Sequence, residues 1–433
     1  MPIKGKTKHI TKILIAGFAL FSLFFGAGNL IFPPELGFSE GHHWYIGTIG
    51  FFLTDLGLSV LTLIAIIGGG GTFSKVLNQV SPSLSKFLTT IVILFIGPLV
   101  GMPRILALIY EIGIQPIFPH FNKILALVIV CLFIYWAVMH PKNLINLIGK
   151  YLTPILLISL LVFIIAGIIK EPRITSIAPV EQHPFSYGLL QGYQTLDIMG
   201  AAIFASIFSK KFAEEKLTNR SAQVSYILKA SIVALILMLV IYGGLAYLGA
   251  AFRDNFTNGA ENVEILVGIL KLTLGVGGLF VLSIIVITAC FTTVIGLTLT
   301  ASEYFTKTLN NRVKYKAFII INLVVALFVA HFGVQPIIDY SLPFIKLFYP
   351  TIIIIVVSQI FRRYLWDLLF MKIAIIISLL FGIPRLLVFF TIIPTSSSNF
   401  THDIPLYSSN LEWLIPVVIV GVIVKFIYLL KRK

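Results

Sequence analysis

Apolar runs of about 20 residues follow one another along nearly the whole chain, each long enough to cross roughly 30 Å of hydrocarbon. No stretch between them is polar enough, or long enough, to build a separate aqueous domain. Hydrophobic residues make up 58% of the 433 positions and charged residues only 11%, with a mean hydropathy of +1.01. The sequence therefore predicts a single all-α polytopic membrane domain. Spans fall near 10–32, 44–67, 87–112, 122–140, 149–169, 185–208, 223–250, 275–305, 314–332, 336–358, 367–391 and 411–430, twelve in all. The basic start followed by an apolar run is not a signal peptide. That run is too long for an h-region, and no small-residue cleavage site leads into polar sequence.

The charge supports this division. Of 32 Lys and Arg, 22 fall in segments on the side of the N-terminus, 5 on the opposite side and 5 within spans. Positive charge collects in cytoplasmic loops, so both termini are expected in the cytoplasm. A formal net charge of +15 would otherwise suggest nucleic acid. Spread over short loops, it forms no single basic patch, and no nucleic-acid partner is expected. The polar tail from Pro394 to Glu412 has no Lys or Arg and suits an external loop. Near 251–274 lies the longest external loop, with room for a short surface helix. Cys131 and Cys290 lie in apolar runs and read as buried thiols.

Two spans are interrupted. The first contains Phe24-Phe25-Gly26-Ala27-Gly28-Asn29-Leu30-Ile31-Phe32-Pro33-Pro34, where glycines and an asparagine break the apolar run and two prolines close it. A break at mid-depth frees peptide groups that lipid cannot satisfy, so they must face protein, water or a ligand. The half-helix after the break presents its positive end, which suits a carboxylate held near Gly26, Ala27, Gly28 and Asn29. Small-residue helix packing is the plainer use of such glycines. The sixth span carries the second interruption, Gly192-Tyr193-Gln194-Thr195-Leu196-Asp197. Carbonyls freed there suit an ammonium group, so the two breaks together would hold a zwitterion. Spans one and six are five apart. They begin two five-helix halves, 10–169 and 185–358, of opposite orientation, with 367–430 added after them.

Asp197 is an ionisable group at membrane depth, open to binding a cation, carrying a proton or capping the sixth helix. Glu111, closing the third span beside Tyr110, is the other coupling candidate. In the eighth span Thr288, Ala289, Thr292 and Thr293 gather oxygens fit for a small hard cation, although threonines bonding back one turn would give the same pattern. Arg104 and Asp55 are charged groups within spans three and two whose partners the sequence does not reveal. Leu106, Tyr110, Phe204 and Ile295 offer apolar or aromatic walls, which favour an apolar side chain. No nucleotide loop or catalytic motif appears, so no enzyme activity and no organic cofactor are expected, and uphill transport would draw on an ion gradient.

The first-span run Phe25-Gly-Ala-Gly-Asn-Leu-Ile-Phe-Pro-Pro34 resembles that of the bacterial branched-chain amino acid permeases (BrnQ type, liv-II). Gly97-Pro98-Leu99 with Pro103-Arg104 and Tyr110-Glu111-Ile112-Gly113 is similar to that family's third span. Gly192-Tyr193 with Thr195 and Asp197 is similar to its sixth, and Thr293 to Thr298 with Glu303 to its eighth. The resemblance implies uptake of leucine, isoleucine and valine coupled to Na⁺ or H⁺ across the bacterial cytoplasmic membrane. It also implies a leucine-transporter-type core within the amino acid–polyamine–organocation superfamily. In that fold Ala289, Thr292 and Thr293 would form half of a sodium site, completed by first-span carbonyls near Ser22 and Phe25. Gln194 and Ile198-Met199-Gly200 depart from the pattern. The competing reading from another class is a receptor that binds the amino acid without moving it.

Overall fold

A computed structural model describes residues 3–140, 153–170, 174, 183–214, 216–362, 368–392, 406 and 411–431. The beginning of the predicted fifth span, 149–152, and most of the tail between Pro394 and Glu412 lie outside these residues. Every described element is helical. Among the described residues, six helical stretches are long and apolar enough to cross a membrane: Gly28–Gly69, Pro82–Ile114, Arg220–Ala251, Gly277–Thr308, Val334–Phe361 and Leu368–Phe389. Shorter apolar helices cover Thr11–Phe24, Lys123–Met139, Thr153–Ile169, Tyr315–Ala330 and Leu414–Val424. Their outward faces are apolar. Leu132, Phe133 and Trp136 on one helix and Ile232, Ile236 and Val240 on another are exposed. Stripes this extensive suit lipid rather than water.

Both expected interruptions are present. The first span is two helices, α1 (Ile3–Phe24) and α2 (Ala27–Glu40), separated at Phe25-Gly26. The sixth is α3 (Pro184–Gln194) and α4 (Asp197–Glu214), separated at Thr195-Leu196. Pro33 and Pro34 do not close the first span as the sequence suggested. They sit inside α2, which runs on to Glu40. Buried membrane helices tolerate the missing N–H groups because neighbouring elements satisfy the freed carbonyls. Near the eighth span, helix extends from Asn262 to Thr308 with one non-helical residue, Gly275 (φ 62°, ψ −152°). A helix thus occupies 262–274, where the sequence left room for a short one, and Gly275 breaks its course before the span.

The chain forms two compact units. One comprises Met1–Leu56, Ile93–Thr195 and Ser225–Asp339; the other comprises Gly57–Val92, Leu196–Val224 and Tyr340–Lys433. In the first, α3 packs along Trp44–Phe52. A Cβ at Gly192 would stand 2.1 Å from Thr54 Oγ1 and 2.7 Å from the Phe51 carbonyl oxygen, so glycine is what lets these helices meet. The Thr54 hydroxyl donates across the seam to the Leu189 carbonyl at 2.9 Å. Contacts run Gly47 to Gly188 and Thr54 to Gly192, a parallel course. Alternate crossing requires that of two even-numbered spans. In the second unit, α4 packs on Leu58–Gly69. Ser209 Oγ donates to the Gly71 carbonyl at 2.7 Å, and Arg220 Nη1 to the Ile67 carbonyl at 3.1 Å. Arg385, on the helix Leu368–Phe389, pairs with Glu412 at 3.1 Å.

Candidate functional site

The first break is a short extended link. Gly26 has φ −107° and ψ −159°, and its N–H donates to Asn29 Oδ1 at 3.1 Å. Asn29 thereby caps the new helix from inside. The first-turn amides of Ala27, Gly28 and Asn29 have no carbonyl one turn back within α2. Asn29 Nδ2 donates to the Tyr242 hydroxyl at 2.6 Å and to Asp55 at 3.3 and 3.4 Å. Tyr242, fully buried, stacks beside Phe25 (centroids 6.3 Å apart) and lies edge-on to Phe51 at 5.1 Å.

The second break turns on Leu196, whose φ of 70° ends α3. Thr195 Oγ1 donates to Asp55 Oδ1 at 2.7 Å, and also lies 2.8 Å from the Gly192 carbonyl. Gln194 Nε2 reaches Gln191 Oε1 at 2.8 Å. Asp55, with no exposed surface, thus receives bonds from both breaks: Asn29 of the first and Thr195 of the second. It sits in a π-helical turn, Leu53–Gly57, a widening that is frequent at functional sites.

Arg104 changes the expectation for the second break. The carbonyls that sequence reasoning offered to an ammonium group already accept from a side chain. Arg104 Nη1 donates to the Gln194 carbonyl at 2.5 Å and Nη2 to the Thr195 carbonyl at 3.0 Å. A planar guanidinium fork suits two neighbouring carbonyls, which a point charge would not grip as firmly. The guanidinium carbon lies 5.6 Å from the Phe32 ring centroid. A Cβ at Gly28 would stand 3.1 Å from Thr195 Cα and 3.2 Å from Arg104 Nη2. The absent side chain at Gly28 is therefore what allows the two breaks to approach.

The eighth-span oxygens meet the first span. Thr292 Oγ1 lies 3.0 Å from the Ser22 carbonyl oxygen and 2.8 Å from that of Ala289, and Thr293 Oγ1 is 3.3 Å from the latter. A Cβ at Gly26 would be 3.4 Å from Thr293 Oγ1, so the cluster borders the first break. The buried Ser22 hydroxyl has no hydrogen-bond partner among the described residues. Two carbonyls and two hydroxyls brought together here are hard oxygen donors of the kind a small cation takes.

Other candidates lie elsewhere. Tyr110 donates its hydroxyl to the Phe121 carbonyl at 3.0 Å. Glu111 pairs with Lys123 at 3.4 Å and accepts from the Val334 amide at 3.2 Å, tying three helix ends together. Both residues belong to one end of the third span, where a cavity of about 530 Å³ is lined by Glu111, Lys123, Glu261, Glu264 and Lys271. Asp197 begins α4, where a carboxylate suits the positive helix end. Phe204 is buried further along α4, 3.3 Å from the Cβ position of Gly200. Tyr193 is buried in α3. Tyr242, Glu35 and Tyr187 were missed by sequence reasoning. Tyr187 donates to Glu35 Oε1 at 2.5 Å and Ser39 to the same oxygen at 2.7 Å, joining α2 to α3. Glu35 follows the two prolines, beyond the end that they suggest for the first span.

The model for the family described as "Branched-chain amino acid transport protein" matches residues 9–431. The branched-chain amino acid permease BraB of Bacillus subtilis is 32% identical over 423 residues, covering 95% of this chain and 94% of that protein. Among solved structures, Mhp1, a nucleobase-cation-symport-1 family transporter, superimposes with a TM-score of 0.62 at 13% identity, over 94% of this chain and 91% of that one. A Na⁺-coupled sialic acid symporter gives 0.62 at 12% identity, over 96% and 90%. At such identities the structural likeness shows a shared fold.

Proposed function

We propose that this chain, which belongs to the family of branched-chain amino acid transport proteins, is a secondary active symporter importing leucine, isoleucine and valine with Na⁺ or H⁺ by alternating access. The observation that carries the reading is the meeting of two helix breaks at Asp55 and Arg104. Broken helices that meet in a membrane bundle are where transporters hold substrate. The first-turn amides of Ala27, Gly28 and Asn29 take the carboxylate, with Gly26 as the extended link that opens the helix end toward it, and the backbone of Gly192, Tyr193, Gln194 and Thr195 forms the opposite wall. Tyr110 is engaged with Phe121 and Lys123 at the end of the third span and is not placed against the side chain. Ser22, Phe25, Ala289, Thr292 and Thr293 hold Na⁺; Asp197 and Glu111 are the coupling groups if the ion is a proton.

The architecture that goes with this function has twelve spans in a single domain. A first five-helix half (10–169) and an inverted second half (185–358) precede two further helices (367–430). The loop charge bias and the parallel course of spans two and six support it, with both termini in the cytoplasm of a bacterial cell. The protein works as a carrier and catalyses no covalent step.

Purified protein in liposomes tests this. Labelled leucine is expected to accumulate when a Na⁺ or H⁺ gradient is imposed, with isoleucine and valine competing and lysine and glutamate inert. Equal uptake with and without gradients would end the symport reading, and binding without counterflow would favour a receptor. Within the same assay, Thr293→Ala removes one oxygen beside the first break. The Na⁺ concentration for half-maximal uptake should rise about tenfold, equivalent to about 1.4 kcal/mol, with the yield of folded protein unchanged. An unaltered Na⁺ response would take Thr293 out of the cation site.

A further inference from the structure

The second break is supplied with a positive charge by the protein itself. Freed carbonyls beside a buried carboxylate are the usual materials of a cation site. Here Gln194 and Thr195 provide the carbonyls and Asp55 the carboxylate. Arg104, only 3% exposed, places its guanidinium among them. Thr195 is gripped at both polar groups by opposite charges: its carbonyl by Arg104 at 3.0 Å, its hydroxyl by Asp55 at 2.7 Å. We propose that Arg104 is the tethered cation of this site. It does at the second break what a transported ion would otherwise do, so one cation accompanies each amino acid, not two. The inference rests on the symport reading and adds a stoichiometry to it.

Two physical arguments support the assignment. An alkali ion entering between Asp55 and the two carbonyls would come within a few ångströms of the guanidinium, where a buried setting screens like charges poorly. It would also have to displace two charge-assisted hydrogen bonds. The hydrogen bonds of the Ser22–Ala289–Thr292–Thr293 oxygens are among neutral groups, so a cation entering there has no charged donor to displace. The transported cation belongs there, and the substrate ammonium does not belong on the Gln194 and Thr195 carbonyls.

The test is the charge moved per leucine, read from the reversal potential of leucine flux in proteoliposomes at fixed leucine and cation gradients. The expected value for the wild-type protein is one positive charge per leucine. A value of two overturns the inference alone, whereas no gradient-driven leucine flux overturns the symport reading and this inference with it. Arg104→Lys keeps a charge at the break and should keep the value at one. Arg104→Gln should lower uptake by about tenfold or more, with the residual flux recovering in millimolar methylguanidinium or moving a second cation. A loss in Arg104→Gln that neither agent relieves would make Arg104 a structural strut and overturn the proposal. If Arg104→Gln does not fold, the wild-type charge ratio decides.

Discussion

Replacing Asp55 with alanine is expected to lower leucine uptake on the order of 100-fold while the protein still inserts and folds. Asp55 is the acceptor that the two breaks share, taking Thr195 Oγ1 at 2.7 Å and Asn29 Nδ2 at 3.3 Å. Hydrogen bonds to a charged group contribute about 1.5–3 kcal/mol each, and removing the carboxylate leaves buried donors behind. The loss also strands a positive charge. Arg104 would remain on the Thr195 carbonyl with the negative charge on the same residue's other side removed. Asp55→Asn keeps the shape and loses the charge, so its defect should be smaller, about tenfold. The surrounding helices are tightly packed through Phe51 and Tyr242, which is why folding should survive. Uptake by Asp55→Ala within twofold of wild type would show that the breaks do not depend on a common partner.

Gly192→Leu should do more: it should prevent recovery of folded protein. A Cβ at this position would already lie 2.1 Å from Thr54 Oγ1 and 2.7 Å from the Phe51 carbonyl oxygen. The nearer neighbour ends a short threonine side chain, and the second is backbone that cannot swing away. Overpacking by a methylene typically costs about 1–3 kcal/mol, and a whole leucine must separate α3 from Trp44–Phe52. Gly192→Ala should lower the melting temperature in detergent, and Gly192→Leu should elute as aggregate on size-exclusion chromatography. A monodisperse Gly192→Leu melting with the wild type would mean that the seam is looser than the contacts indicate.

The breaks were legible because glycine and asparagine within an apolar run leave few alternatives. Gly26 and Asn29 sit at the first break, and Thr195 closes α3 at the second. Pro33 and Pro34 misled because their usual meaning, a helix stop, assumes that nothing nearby will satisfy the freed carbonyls. Gly192 drew notice for the carbonyls of its break; that its open side is pressed against the second span was not legible, since a glycine marks close approach without saying what approaches. Asp55 and Arg104 were visible as charges at membrane depth. Their roles were not, because their partners are 140 and 91 positions away in sequence. Only the fold brings such residues together. The same limit hid Tyr242, an ordinary tyrosine in an apolar helix until Asn29 meets it at 2.6 Å.

Hydrogen–deuterium exchange on the protein in lipid, with and without saturating leucine and Na⁺, tests the central claim most directly. Two peptide segments far apart in sequence, 24–30 and 191–195, should become slower to exchange together on adding leucine, while 123–139 does not change. Slowing confined to one of the two segments, or to neither, would contradict the claim that both breaks close on a single amino acid.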